Sequence, residues 1–90
     1  MKSCIDSEKV VGRLKRVQGQ IGGIIKMIEL EKDCEDVLIQ IGAAKAALHK
    51  AGQSVLEGHL HHCVRDAIHE GHGEDALEHL SKAIEQFIKI

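Results

Sequence analysis

The sequence predicts an all-α protein. Apolar residues recur at alternating spacings of four and three along most of the chain, proline is absent, and the nine glycines are scattered rather than gathered into turns. Val10, Leu14, Val17, Ile21, Ile24 and Ile28 set this rhythm for a first helix, with Asp6 or Ser7 able to cap its start and the polar cluster from Glu31 to Asp33 ending it. Val37, Ile41, Ala44, Leu48, Ala51, Val55 and Leu60 carry a second helix on to Val64, a run of about 35 residues. Gly71 to Gly73 break the pattern, and Leu77, Leu80, Ile84 and Phe87 resume it as a short third helix.

At 1.5 Å per residue the second helix would be about 50 Å long, more than a 90-residue globule covers. A partner chain is therefore expected. The simplest arrangement pairs helices one and two into a hairpin and docks two hairpins antiparallel. That gives a four-helix-bundle dimer, with helix three left to join dimers into a dimer of dimers.

The chain length fits one domain, residues 1–90, and the apolar share of 43% with 29% charged residues is that of a soluble, helix-rich protein rather than a disordered one. The amino terminus, MKSCIDSEKV, has no apolar signal core, and no stretch approaches the roughly 18 apolar residues that span a bilayer, so a cytoplasmic location without membrane contact is expected. Three cysteines make an odd number for a disulfide framework and, in a reducing compartment, would stay available for metal or sulfur chemistry.

The spacing of these residues carries the chemistry. Cys34 opens helix two, whereas His59 and Cys63 stand four apart near its far end, a two-ligand clip on one helical face. The 25 residues from Cys34 to His59 span roughly 37 Å of helix, so one chain cannot close a site from all three. Two copies of helix two packed antiparallel and crossing near Leu48 would bring Cys34 of one chain beside His59 and Cys63 of the other. Two thiolates and an imidazole suit a soft ion of low coordination number such as Cu(I). Zn(II), Ni(II) or Co(II) would call on a further ligand, for which His61, His62 and Cys4 are candidates. On its own, the His59/Cys63 pair also fits a buried thiol beside a hydrogen-bonded histidine, and GHLHHC also fits a solvated face.

Net charge is −2, yet the charges are segregated. Lys9, Arg13, Lys15, Arg16 and Lys26 face no acid between Lys9 and Lys26, while the chain beyond Ala51 is acidic. Lys9, Arg13, Arg16 and Gln20 form a stripe flanking the apolar seam, widened by Lys15, that suits contact with DNA phosphates as well as plain solvation. Phe87 is the sole aromatic, which argues against single-strand binding by base stacking. An enzyme using Cys63 and His59 as nucleophile and base is disfavoured, because no glycine-rich phosphate loop or oxyanion cradle is evident. A metal chaperone or buffer is the other rival; it would bind copper and ignore DNA.

Three segments, RLKRVQGQIGGIIKMIE, CEDVLIQI and LEGHLHHCV, resemble the copper-sensing operon repressor family, which also contains nickel/cobalt, formaldehyde and persulfide sensors. The resemblance runs from about Val10 to Val64, and the intervals of 25 and 29 residues from Cys34 to His59 and Cys63 agree with the copper sensors' ligand set. It implies a homodimer or homotetramer that represses transcription by binding double-stranded operator DNA without a helix-turn-helix, and that releases it on capturing Cu(I). It also implies that Arg13 and Lys50 contact DNA, with Lys15, Arg16 and Lys45 as neighbours. Where copper sensors often carry a tyrosine before the first cysteine and a glutamate in the last helix, this chain has Asp33 and His79. The KDC run around Cys34 is also similar to persulfide sensors, which need no metal and join Cys34 and Cys63 of neighbouring chains through sulfur.

Overall fold

The computed structural model describes residues 6–89, and every regular element among them is helical. Helix α1 spans Ser7–Glu29 and α2 spans Cys34–Gly58. A six-residue π segment, His59–Val64, follows α2 without a break and runs into the short α3, Arg65–His69; α4 then spans Gly73–Ile88. The expected second helix thus extends through α2, the π segment and α3, and the fold is all-α as the apolar rhythm required.

Two helix ends are closed by the same device. After α1, the Lys32 N–H donates to the Met27 carbonyl (2.9 Å) and the Glu31 N–H to the Ile28 carbonyl (3.1 Å), with Glu31 in the left-handed region at φ 56°. After α3, the His72 N–H donates to the Ala67 carbonyl (2.7 Å) and the Gly71 N–H to the Ile68 carbonyl (3.2 Å), with Gly71 at φ 84°. Both are Schellman closures, which satisfy carbonyls that a helix end leaves without partners. Glycine is the usual residue at the left-handed position because it has no Cβ to clash, so Glu31 holds its place at a cost. Helix α2 starts with the Val37 N–H bonded to the Asp33 carbonyl, and Glu35 and Asp36 place negative charge at the positive end of its dipole.

The described residues gather into two compact units. In the first, Ser7–Gln53, the buried side chains are Val10 and Val17 of α1 and Ala44 and Ala51 of α2, seven residues apart on each helix. That is the spacing of one position of a heptad repeat. Leu14, Ile21 and Ile28, which share the α1 rhythm, stay exposed, as do Leu38, Ile41 and Leu48 of α2. In the second unit, from Ser54 onward, α3 and the π segment pack against α4, burying Val64 and Leu80. Gly73 sits so close to α3 that a Cβ there would stand 2.9 Å from Ile68 Cγ1.

Candidate functional site

Cys34 is the first residue of α2, a free and exposed thiol. It lines a cavity of about 330 Å³ together with Ile28, Lys32, Val37, Leu38 and Ile41, so the thiol opens onto a largely apolar recess beside the α1–α2 turn.

His59 and Cys63 lie in the other unit, both half-buried and both within the π segment. A π turn carries its hydrogen bond across five residues instead of four and occurs mostly as a short insertion in α-helices, frequently at functional sites. The wider turn keeps two side chains four apart as neighbours. Here Cys63 is disulfide-bonded, so it can serve as a thiolate ligand only after reduction. His61 and His62 occupy the same segment and are exposed. Cys4 lies outside the described residues. Among the described residues, no three His, Cys, Asp or Glu side chains come together within the chain in a way that could hold a metal ion.

The basic residues divide into two sets. Lys9, Gly12, Arg13 and Arg16 of α1, with Ala47 and Lys50 of α2, line a cavity of about 360 Å³ in the first unit. Lys15 and Lys45 are exposed outside it. Arg13 is half-buried and its Nε is shielded from solvent with no hydrogen-bond partner. The sequence stripe Lys9, Arg13, Arg16 foresaw three of these side chains, since residues three and four apart share a helix face. Periodicity alone could not add Lys50, which comes from a different helix.

The chain matches the family model described as metal-sensitive transcriptional repressor over residues 6–89. It is 42% identical over 88 residues to the copper-sensing transcriptional repressor CsoR of Bacillus subtilis (strain 168), covering 98% of this chain and 87% of that one. To the copper-sensing transcriptional repressor RicR of Mycobacterium tuberculosis (strain ATCC 25618 / H37Rv) it is 46% identical over 79 residues, 86% of this chain and 82% of the relative. Among solved structures, the copper-sensing repressor CsoR with Cu(I) from Geobacillus thermodenitrificans NG80-2 superposes with a TM-score of 0.87 at 48% identity, covering 91% of this chain and 85% of that one. The nickel-responsive transcriptional regulator InrS superposes with a TM-score of 0.82 at 33% identity, covering 98% and 99%. A helical fold shared with metal-responsive regulators defines the class, and the chain belongs to the metal-sensitive transcriptional repressor family. Its relatives are repressors rather than enzymes. No described helix is long and apolar enough to cross a membrane.

Proposed function

We propose that this protein is a cytoplasmic repressor that binds operator DNA as a homodimer or homotetramer and leaves it when Cu(I) is held by Cys34 of one protomer and His59 and Cys63 of another. The observation that carries the reading is the 48% identity and 0.87 TM-score to a repressor solved with Cu(I). The donor set agrees: two thiolates and an imidazole form a soft, low-coordinate set that favours Cu(I) over harder ions. Since 25 residues separate Cys34 from His59, about 37 Å if helical throughout, the set is completed between chains. The exposed Leu14, Ile21, Ile28, Leu38, Ile41 and Leu48 supply the apolar surface that a second protomer would cover.

Cu(I) would join two protomers at the head of α2 and at the π segment. Cys34 and Cys63 would hold the ion as thiolates and His59 through a neutral nitrogen, so capture would require reduced sulfur and release protons. Arg13, Lys15, Arg16, Lys45 and Lys50 meet the DNA backbone. Cys34 shares a compact unit with all five. Metal capture at Cys34, the first residue of α2, would act on Lys45 and Lys50 of the same helix, and a coupling of about 1–3 kcal/mol would lower DNA affinity roughly 5- to 150-fold.

The likeness to InrS supports a second reading, a nickel response. Ni(II) takes a larger donor set, and His62 or Cys4 would supply a fourth group, nitrogen or sulfur. Mixing Cys34→Ala protein with His59→Ala/Cys63→Ala protein tests the cross-chain site. Heterodimers carry one intact set, so Cu(I) binding should reappear at a quarter of the wild-type stoichiometry for a random dimer mix. No recovery would sink the shared site. A wild-type protein that releases DNA with Ni(II) and not Cu(I) would favour the second reading.

A further inference from the structure

Cys63 is disulfide-bonded, whereas Cys34, the other thiol of the proposed copper set, is free. The sequence has three cysteines, which leaves Cys4 as the sulfur to which Cys63 can be joined within one chain. Placement of the neighbouring residues agrees. Asp6, two residues after Cys4, is grouped with Ser54–Ile90, the unit that carries Cys63 in its π segment, although α1 begins at the next residue and belongs to the other unit. An extended chain covers about 3.5 Å per residue, so a thiol two residues before Asp6 can reach that unit. A disulfide then asks for Cα atoms about 4.4–6.8 Å apart. A thiol tethered on the same chain also meets Cys63 at a far higher effective concentration than a free one does.

We propose that Cys4 and Cys63 of one chain form a reversible disulfide that takes Cys63 out of the copper-binding set, so that one repressor answers to redox state as well as to metal. The inference rests on the copper reading above and deepens it. In the reaction the two thiols lose two electrons and two protons to a small-molecule disulfide, which leaves as two thiols, and the bond between Cys4 and Cys63 forms. The oxidised protein offers Cu(I) only Cys34 of one protomer and His59 of another. Arg13, Lys15, Arg16, Lys45 and Lys50 belong to the unit without the disulfide, so the oxidised protein keeps its operator whatever the copper supply. Reduction restores the thiolate and with it the response.

Full-length protein tests this after equilibration in glutathione buffers of rising oxidised-to-reduced ratio, with reduced glutathione in excess so that lone thiols stay free, followed by anaerobic desalting. Peptide mapping without reductant should find Cys4 joined to Cys63 at monomer mass, with Cys34 free. Closing a loop from Cys4 to Cys63 constrains the unfolded chain, so Tm at fixed protomer concentration should rise on oxidation by an amount on the order of 10 °C, and Cys4→Ser should show no such rise. Cu(I) affinity against a competing chelator should fall on oxidation by roughly a hundredfold or more, beyond the loss that follows removal of an outer partner of a ligand. DNA affinity without copper should match that of the reduced protein. In Cys4→Ser neither affinity should differ between the two ends of the buffer range. A link from Cys34 to Cys63, a cross-linked dimer, or no link at any ratio overturns the pairing, and a link that leaves copper affinity unchanged overturns the gate. A reduced wild type that binds no Cu(I) defeats the copper reading instead, and mapping and Tm then decide the disulfide independently.

Discussion

Glu31→Gly should stabilise the fold and Gly71→Ala should destabilise it, although both residues occupy the same position of the same closing motif. Each follows a helix and donates its N–H to a carbonyl three residues back, at φ 56° for Glu31 and 84° for Gly71. A left-handed backbone costs an L-residue roughly 1–2 kcal/mol, which glycine avoids. Glycine also loosens the unfolded chain, offsetting about 0.4–1 kcal/mol of that gain. The net for Glu31→Gly is a stabilisation of about 0.5–1 kcal/mol, or roughly 2–8 °C in Tm for a domain of this size. At Gly71 nothing lies within 4 Å of the Cβ position, so alanine meets no steric clash and its penalty is that of the backbone alone, a fall of similar size. Circular dichroism melts of the three proteins, at one protomer concentration because oligomer stability depends on it, measure both shifts. A Tm for Glu31→Gly at or below wild type would rule out a net backbone cost at this position. It would mean that the glutamate side chain repays the strain of its backbone.

Gly73→Ala should lower stability by about 1–3 kcal/mol, because its Cβ would press on Ile68 Cγ1 at 2.9 Å and on Ile68 Cα at 3.4 Å; denaturant midpoints would register this, and an unchanged midpoint would show that α3 and α4 can part freely. Cys34→Ala and Cys63→Ala should each abolish the response to Cu(I) in a gel-shift assay while leaving DNA binding intact. Loss of DNA binding itself would make these residues structural. Arg13→Ala should weaken DNA affinity and flatten the slope of log affinity against log salt by about 0.9, the share of one phosphate. A slope equal to wild type would take Arg13 out of the interface.

Much of the fold was legible because its signals are local. The four-three rhythm of α1 and the glycine break at Gly71 require only period and backbone freedom, and both elements end where these signals change. Glu31 hid its left-handed turn, since glutamate is not a turn residue and only the polar run around it pointed to an end. The π segment was invisible for a different reason: HLHHCV continues the apolar rhythm, and nothing in it marks a change of hydrogen-bond span from four residues to five. Burial was legible only in part. Val10 and Val17 are buried as the seam predicts, while Leu14, Ile21 and Ile28 of the same seam are not, because one chain supplies too few neighbours for a whole apolar stripe.

The candidate site divides along the same line. The stripe of Lys9, Arg13 and Arg16 is a property of one helix and could be read directly, and the chain does bring these residues to one cleft. The addition of Lys50, and the separation of Lys15 and Lys45 from the cleft, depend on how α2 lies beside α1. Cys34, His59 and Cys63 are the opposite case: their intervals point to a shared site, yet they fall in two units, and no group of three donors forms among the described residues of one chain.

An anaerobic titration of fully reduced protein with Cu(I) against a competing chelator, with DNA release followed in the same samples, separates a copper-released repressor from its rivals. A copper-released repressor with a shared site binds one ion per protomer tightly, lets go of DNA in step with it, and loses both in Cys34→Ala. Weak binding, or tight binding that leaves the DNA in place, would contradict this reading.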